Sequence, residues 1–248
     1  MKRLWLALIL SCLLAHTAQG ATIEVFAAAS LTDVFGAIAA DFEKEHPQTT
    51  IHLTTAASGD LLDRLRHGQA ADVLASADMD TMDAAISGRY ATPASRVVFA
   101  GNALVMAVPA GNPADVKNLD DLSRGGVRRV GVGNPESVPA GRYAKRALSQ
   151  RALWFALTSK LVLFPSVRHV LSALRDRTLD AGFVYRTDAF LAAKTVTIAT
   201  TLTLSPPVTY VAAQTTASQH PEEADAFLAY LRSPKAQKQL TAFGFTLP

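Results

Sequence analysis

The 248-residue chain is 49% hydrophobic, 18% charged and 7% aromatic, with a formal net charge of +3. Two of those positive charges, Lys2 and Arg3, precede a short apolar run, so the remainder carries only +1 and has no clustered Lys/Arg stripe of the kind that binds a phosphodiester backbone. Nucleic acid is thereby excluded as an expected partner, and the single cysteine, Cys12, leaves the rest of the chain without a disulfide or a cysteine-based metal site.

In chain order, residues 1–20 read as a secretory signal peptide. Lys2 and Arg3 are followed by "LWLALILSCLLA" and then by the small residues "AQG" before Ala21. The apolar run falls short of the roughly 20 residues that a membrane span needs. Lipid attachment at Cys12 is the alternative, but it leaves too short an apolar core before the cut and keeps "LLAHTAQG" in the mature chain. Cleavage near Gly20/Ala21 and an exported, periplasmic product are expected. About 228 residues remain, enough for one large domain or for two lobes with separate cores.

From there strands and helices alternate. "TIEVFAAA" reads as a strand, and the helix after it carries an apolar stripe of Leu31, Val34, Phe35, Ile38 and Phe42 at a 3.6-residue period. "TIHLTTAA" is the next strand, followed by a helix through Leu61, Leu62 and Leu65 that stops near His67-Gly68; "ADVLASA" is a third strand. Such spacing implies parallel strands joined by right-handed crossovers. After "FAGNALVMAVPAGNP" the pattern restarts. Strand "RRVGVG", a helix from about Ala140, strand "KLVLF", a helix from Ser166 and strand "AGFVY" follow, and "VTYVAAQ" with a helix from Pro221 to Leu231 closes the chain. Two series of units imply an α/β protein of two lobes, with apolar strands near 103–108 and 208–214 as crossings. The expected division is 21–102 and 211–248 in the first lobe and 103–210 in the second.

Four strand-to-helix junctions share one design. "AAASLTD" puts Ser30 before a helix with Asp33 three residues on, at capping-box spacing, and "AASGDLL" puts Ser58 and Gly59 before the second helix. "NPESVPAGRY" brings Pro139, Ala140 and Gly141 to the start of the third helix, and "FPSVRHVL" brings Pro165, Ser166 and Val167 to the start of the fourth. In open parallel sheets ligands bind at this carboxyl end of the strands. A helix N-terminus presents unpaired N–H groups and partial positive charge, and small residues let a ligand oxygen approach the backbone. Two such junctions per lobe, with the Tyr185 phenol from "AGFVY", could surround a small oxyanion with neutral donors. Taken singly, Ser30 and Ser58 could equally be plain N-caps, Ala140 and Val167 helix-start residues, and Tyr185 packing.

Five charge-assisted hydrogen bonds give about 8–15 kcal/mol gross, against about 4–15 kcal/mol for association. Micromolar binding needs about −8 kcal/mol, so the site must be largely preformed and closed to water.

The segments "FAAASLTD", "AASGDL", "ADVLASAD", "GNPESVPAGRYAKRAL", "VRHVL", "GFVYRTDA" and the terminal "FGFTLP" resemble the periplasmic molybdate-binding proteins that feed ABC transporters, the ModA family. The resemblance runs through essentially the whole chain after residue 20. It implies a two-lobed periplasmic binding protein fold of type II, with mixed sheets in each lobe and a ligand cleft between them. It also implies capture of molybdate or tungstate as the ligand, no cofactor, a monomer, and a membrane permease as partner. The contacts it implies are the hydroxyls of Ser30 and Ser58, the backbone N–H groups of Ala140 and Val167, and the phenol of Tyr185. Molybdenum would thus be held as its oxyanion through these residues. Three features depart from the family: Ala57-Ser58-Gly59 has one serine where relatives can have several, Arg186 follows Tyr185, and Arg142 and Arg168 sit next to presumed contacts. The arginines are expected to point away, since neighbouring residues on a helix or strand face different directions.

A donor-only site suits a fully deprotonated dianion, whereas phosphate bearing a proton needs an acceptor. A binding protein for sulfate, phosphate or another small anion is the alternative within the class. A hydrolase is the alternative outside it. His46, His52, His67, His169 and His220 show no zinc-site spacing, and His169 near Ser166 comes without a "GxSxG" elbow. The effector-sensing half of a transcription factor is disfavoured by the leader and by the lack of a DNA-binding segment.

Overall fold

Small and β-branched runs separated by amphipathic stripes fold as repeated strand-helix units in the computed structural model, which describes residues 20–248. The signal peptide and Cys12 lie outside the described residues. The first series is β1 (Ala21–Ala28), a 3₁₀ turn over Ala29–Leu31, α1 (Thr32–Glu45), β2 (Thr49–Ala56), α2 (Ser58–Arg66), β3 (Val73–Ser76), α3 (Met79–Ser87) and β4 (Val97–Asn102). The second is β5 (Leu104–Pro109), β6 (Val130–Gly133), α4 (Pro139–Gln150), α5 (Leu153–Ala156), β7 (Leu161–Phe164), α6 (Val167–Arg175), β8 (Ala181–Tyr185), α7 (Arg186–Leu191) and β9 (Val196–Thr201). The chain then returns through β10 (Val208–Gln214), α8 (Pro221–Tyr230) and α9 (Pro234–Ala242).

These strands make two five-stranded sheets, ordered β2-β1-β3-β10-β4 and β7-β6-β8-β5-β9. In the first, β1 runs parallel to β2 and β3, while β10 pairs antiparallel with β3 and β4. The second repeats the plan, with β6 parallel to β7 and β8 and with β5 antiparallel to β8 and β9. The protein is therefore two-lobed, with a mixed sheet in each lobe. Each parallel trio is built by helix crossovers, so all of its carboxyl ends lie on one edge.

Central strands are covered on both faces, which accounts for unbroken apolar runs such as "LVMAVP" in β5, buried throughout. The stripe of α1 packs as its period implies: Val34, Phe35, Ile38 and Phe42 are buried, and the Phe35 ring lies 5.6 Å from Phe99 and 6.0 Å from Phe227.

Three features differ from the expectation. The strand expected near 103–108 is β5 and lies whole in the second sheet instead of crossing between lobes; the chain passes between sheets at Ala103, whose N–H donates to the Asn102 carboxamide oxygen at 2.9 Å. β10 lies whole in the first sheet, so a lobe boundary at 210/211 falls inside a strand. A last helix, α9, follows α8; it starts on the Ser233 cap and Pro234 but buries only Ala236 and Leu240, too sparse a stripe to stand out by period.

Candidate functional site

Ser30 lies in the 3₁₀ turn between β1 and α1, not at a helix cap. The N-cap of α1 is Leu31, and no side chain caps it. The expected capping box does not form because the Ser30 hydroxyl is taken by the Tyr210 hydroxyl, 2.8 Å away, and Asp33 turns to Arg168. Ser58 is likewise the first residue of α2, with Ala57 as cap, and its Oγ accepts the Ala77 N–H at 3.1 Å. That bond uses a serine lone pair and leaves the hydroxyl hydrogen free to donate.

In the other lobe, Pro139 opens α4 and Val167 opens α6 after Ser166 in extended conformation. Ala140 and Val167 are in first turns, where N–H groups have no intrahelical acceptor. A side chain at Gly141 would put its Cβ 1.9 Å from the Gly133 carbonyl oxygen, so only glycine lets α4 start this close to β6. Tyr185 ends β8. Its backbone N–H donates to Asp188 Oδ2 at 3.1 Å, while its hydroxyl, buried with a residue exposure of 1%, has no hydrogen-bond partner.

All five residues line one small cavity: Ser30 and Ser58 from the first lobe, and Ala140, Val167 and Tyr185 from the second. Ala28, Ala29, Ala57, Ala77, Val138, Pro139 and Ser166 complete the wall. The cavity is small, about 10 Å³, roughly the room that one water needs. Ser166 was missed from sequence as a lining residue; its Oγ sits 2.8 Å from His169 Nδ1. That pair has the spacing of a nucleophile and base, but among the described residues no carboxylate bonds the histidine to orient it, as acyl transfer requires.

The three arginines are engaged elsewhere. Arg142 Nε and Nη2 reach Asp78 Oδ2 at 2.8 and 2.7 Å, and Nη2 also donates to Thr81 Oγ1 at 2.6 Å. Arg168 Nη2 lies 2.7 Å from Asp33 Oδ2 and donates to the Ser30 carbonyl at 3.4 Å. Its Nε is 2.9 Å from Asp188 Oδ1, at ion-pair distance but off the line of a hydrogen bond. Arg186 donates to the Gly244 carbonyl at 3.3 Å. None of the three lines the cavity. Arg142 and Arg168 instead reach from second-lobe helices to acids of the first lobe. Between them the Gly59 N–H donates to the Ser137 carbonyl at 2.9 Å, also across the cleft.

Burial controls the ionisation of the wall. It pushes the Tyr185 phenol well above its ordinary range, with Tyr210, Tyr143, Asp78 and Asp188 adding to the rise, so Tyr185 stays a neutral donor. Tyr210 is pushed up in the same way, by burial first and by Asp188 next. Burial also raises Asp188 to about 6, against the opposing pull of Arg168 and the Tyr185 N–H.

Two mixed sheets closing on a small cavity of uncharged donors define a two-lobed binding protein for a small ligand. The chain belongs to the bacterial extracellular solute-binding protein family, which it matches over residues 23–246. It is 34% identical, over 265 aligned positions spanning all of both chains, to the molybdate-binding protein ModA of Escherichia coli strain K12. Among solved structures, the Azotobacter vinelandii periplasmic molybdate-binding protein superposes with a TM-score of 0.80 at 22% identity, covering 91% of this chain and 99% of that one. The sulfate-binding protein SubI of Mycobacterium tuberculosis superposes with a TM-score of 0.75 at 19% identity, covering 91% and 86%. At those identities the superpositions speak for the fold.

Proposed function

We propose that this chain captures molybdate, and tungstate with it, in the cavity between its lobes and delivers the ion to the permease of an ABC transporter. It would do so as an exported periplasmic monomer and not as an enzyme. The contacts are the Ser30 and Ser58 hydroxyls, the Ala140 and Val167 N–H groups and the Tyr185 phenol. The lobes divide at 102/103 and again ahead of β10, with the C-terminal segment returning to the first.

One observation supports this reading: donor-bearing residues of both lobes line one small cavity, and the hydroxyl of one of them, Tyr185, is buried without a partner. An unmade buried hydrogen bond costs about 1–3 kcal/mol, which an anionic acceptor in the cavity would relieve. The same wall offers no guanidinium or ammonium, so the charge of the guest would be met by oriented dipoles alone, as at other helix N-termini. Selection follows from size and protonation. Sulfate is smaller and would leave donors beyond reach, while a protonated phosphate lacks an acceptor.

Isothermal titration of the exported protein with molybdate, tungstate, sulfate and phosphate tests the assignment. Tight binding of the first two and weak or absent binding of the others is expected. Tight sulfate binding with no molybdate signal would overturn it in favour of a sulfate carrier.

A further inference from the structure

Behind Ser30, and outside the cavity wall, lies a buried chain of neutral groups whose hydrogen-bond direction can be worked out. It begins at a group that can only donate, the Ala103 N–H, which bonds Asn102 Oδ1 at 2.9 Å. That bond fixes which end of the carboxamide is which. Asn102 Nδ2 therefore faces the other way, donating to Thr187 Oγ1 at 2.9 Å and, at 3.4 Å, to the Tyr210 hydroxyl. With an amide hydrogen directed at its oxygen, the Tyr210 hydroxyl must send its own hydrogen elsewhere. Its remaining partner is Ser30 Oγ, 2.8 Å away. Ser30 then accepts from behind, and its hydrogen is left to point into the cavity. Asn102, Thr187 and Tyr210 are all buried, and burial keeps the Tyr210 phenol protonated, so ionisation does not reverse the order.

We propose that Asn102 and Tyr210 are positioning residues that hold the Ser30 hydroxyl as an obligate donor, restricting this corner of the cavity to guests that present only lone pairs. The inference rests on the reading of the cavity given above. It assigns part of the discrimination against protonated anions to two residues that never touch the guest. The relay runs along the strand crossing between lobes, since Asn102 ends β4 and Thr187 lies in the first turn of α7. The first-lobe hydroxyl is therefore oriented by a group tied to the second lobe.

The test is a set of molybdate titrations by calorimetry on the parent, Ser30→Ala, Tyr210→Phe and Ser30→Ala/Tyr210→Phe proteins, with thermal melts to check folding. Loss of a donor at Ser30 should weaken binding about 10- to 100-fold, and loss of the phenol behind it about 5-fold. Acting through Ser30, Tyr210→Phe should cost nothing further once Ser30 is alanine, because coupled neighbours depart from additivity. Asn102→Asp gives the second arm. Its carboxylate accepts the Tyr210 hydrogen and reverses the chain, so Ser30 turns a lone pair toward the guest. The loss should exceed that of Tyr210→Phe, and most of it should vanish in the Ser30→Ala background; a loss persisting there would be through-space charge and would count against the relay. Independent, multiplying effects of Tyr210→Phe and Ser30→Ala would overturn the proposal. Parent-like binding by Ser30→Ala would overturn it by removing the cavity reading itself, a failure separable from the first.

Discussion

The two lobes carry the same sheet plan but equip the cavity differently. On the first, the proposed donors are side-chain hydroxyls, Ser30 and Ser58, each bonded to a second group: the Tyr210 phenol behind one and the Ala77 N–H on the other. On the second, α4 and α6 would present backbone N–H groups whose direction the helix itself sets, the side chains of Ala140 and Val167 would contribute only size, and the Tyr185 phenol at the end of β8 would be the one side-chain donor. The first wall can thus be retuned by substitution at or behind its serines, while the second depends on Tyr185 and on where its helices begin. The flanking arginines repeat the contrast. Arg142 pairs with a single carboxylate, Asp78 across the cleft, whereas Arg168 is shared between Asp33 across the cleft and the fully buried Asp188 in its own lobe.

The comparison breaks most completely if side-chain donors prove dispensable. Replacing Ser30 and Ser58 by alanine and Tyr185 by phenylalanine should abolish measurable molybdate binding, since each charge-assisted bond is worth about 1.5–3 kcal/mol. Calorimetry with retained affinity would show that the backbone donors suffice.

Next in size is Arg168→Met, which leaves the Asp188 carboxyl buried without a cation. Unpairing a buried charge costs about 3–5 kcal/mol, less wherever the group can take up a proton. With Asp188 at about 6 even when paired, urea unfolding should show a larger loss at pH 8 than at pH 5. Arg142→Met removes a contact between the lobes and should lower molybdate affinity.

Gly59→Ala sharpens the same contrast through sterics. An added Cβ would lie 2.6 Å from the Ser137 carbonyl oxygen, a group of the opposite lobe. Overpacking of this kind costs about 1–3 kcal/mol, or roughly 5- to 150-fold in affinity. Because the clash exists only when the lobes meet, the ligand-free melting temperature should hold while molybdate binding falls.

The smallest effect concerns Asp188→Asn. A carboxyl raised in the folded state gives stability that is full below about pH 4 and is lost as pH rises through about 6, then constant. The parent-minus-variant difference in unfolding free energy should therefore decline across that window and flatten above it. A difference that rises with pH would contradict the raised value.

Much of the architecture is legible in the chain because it is local. β8 over "AGFVY" and β10 over "VTYVAAQ" follow from short, continuous apolar runs, and the α1 stripe from its 3.6-residue period. The junction residues could be singled out for the same reason: small residues and prolines where a strand hands over to a helix. The capping role given to Ser30 failed because a nonlocal partner, Tyr210, competes for the hydroxyl and lies 180 residues on.

Sequence by itself determined where strands end and helices begin, and hence which residues stand at the carboxyl edges of the sheets. Only the tertiary structure decided that β10 returns to the first sheet, that Arg142 and Asp78, 64 positions apart, meet across the cleft, and that Asn102 and Tyr210 stand behind Ser30. Periodicity reports which face of an element is buried. It carries no information about which distant face will cover it, and that choice set both the direction of the Ser30 hydroxyl and the neutrality of the cavity wall.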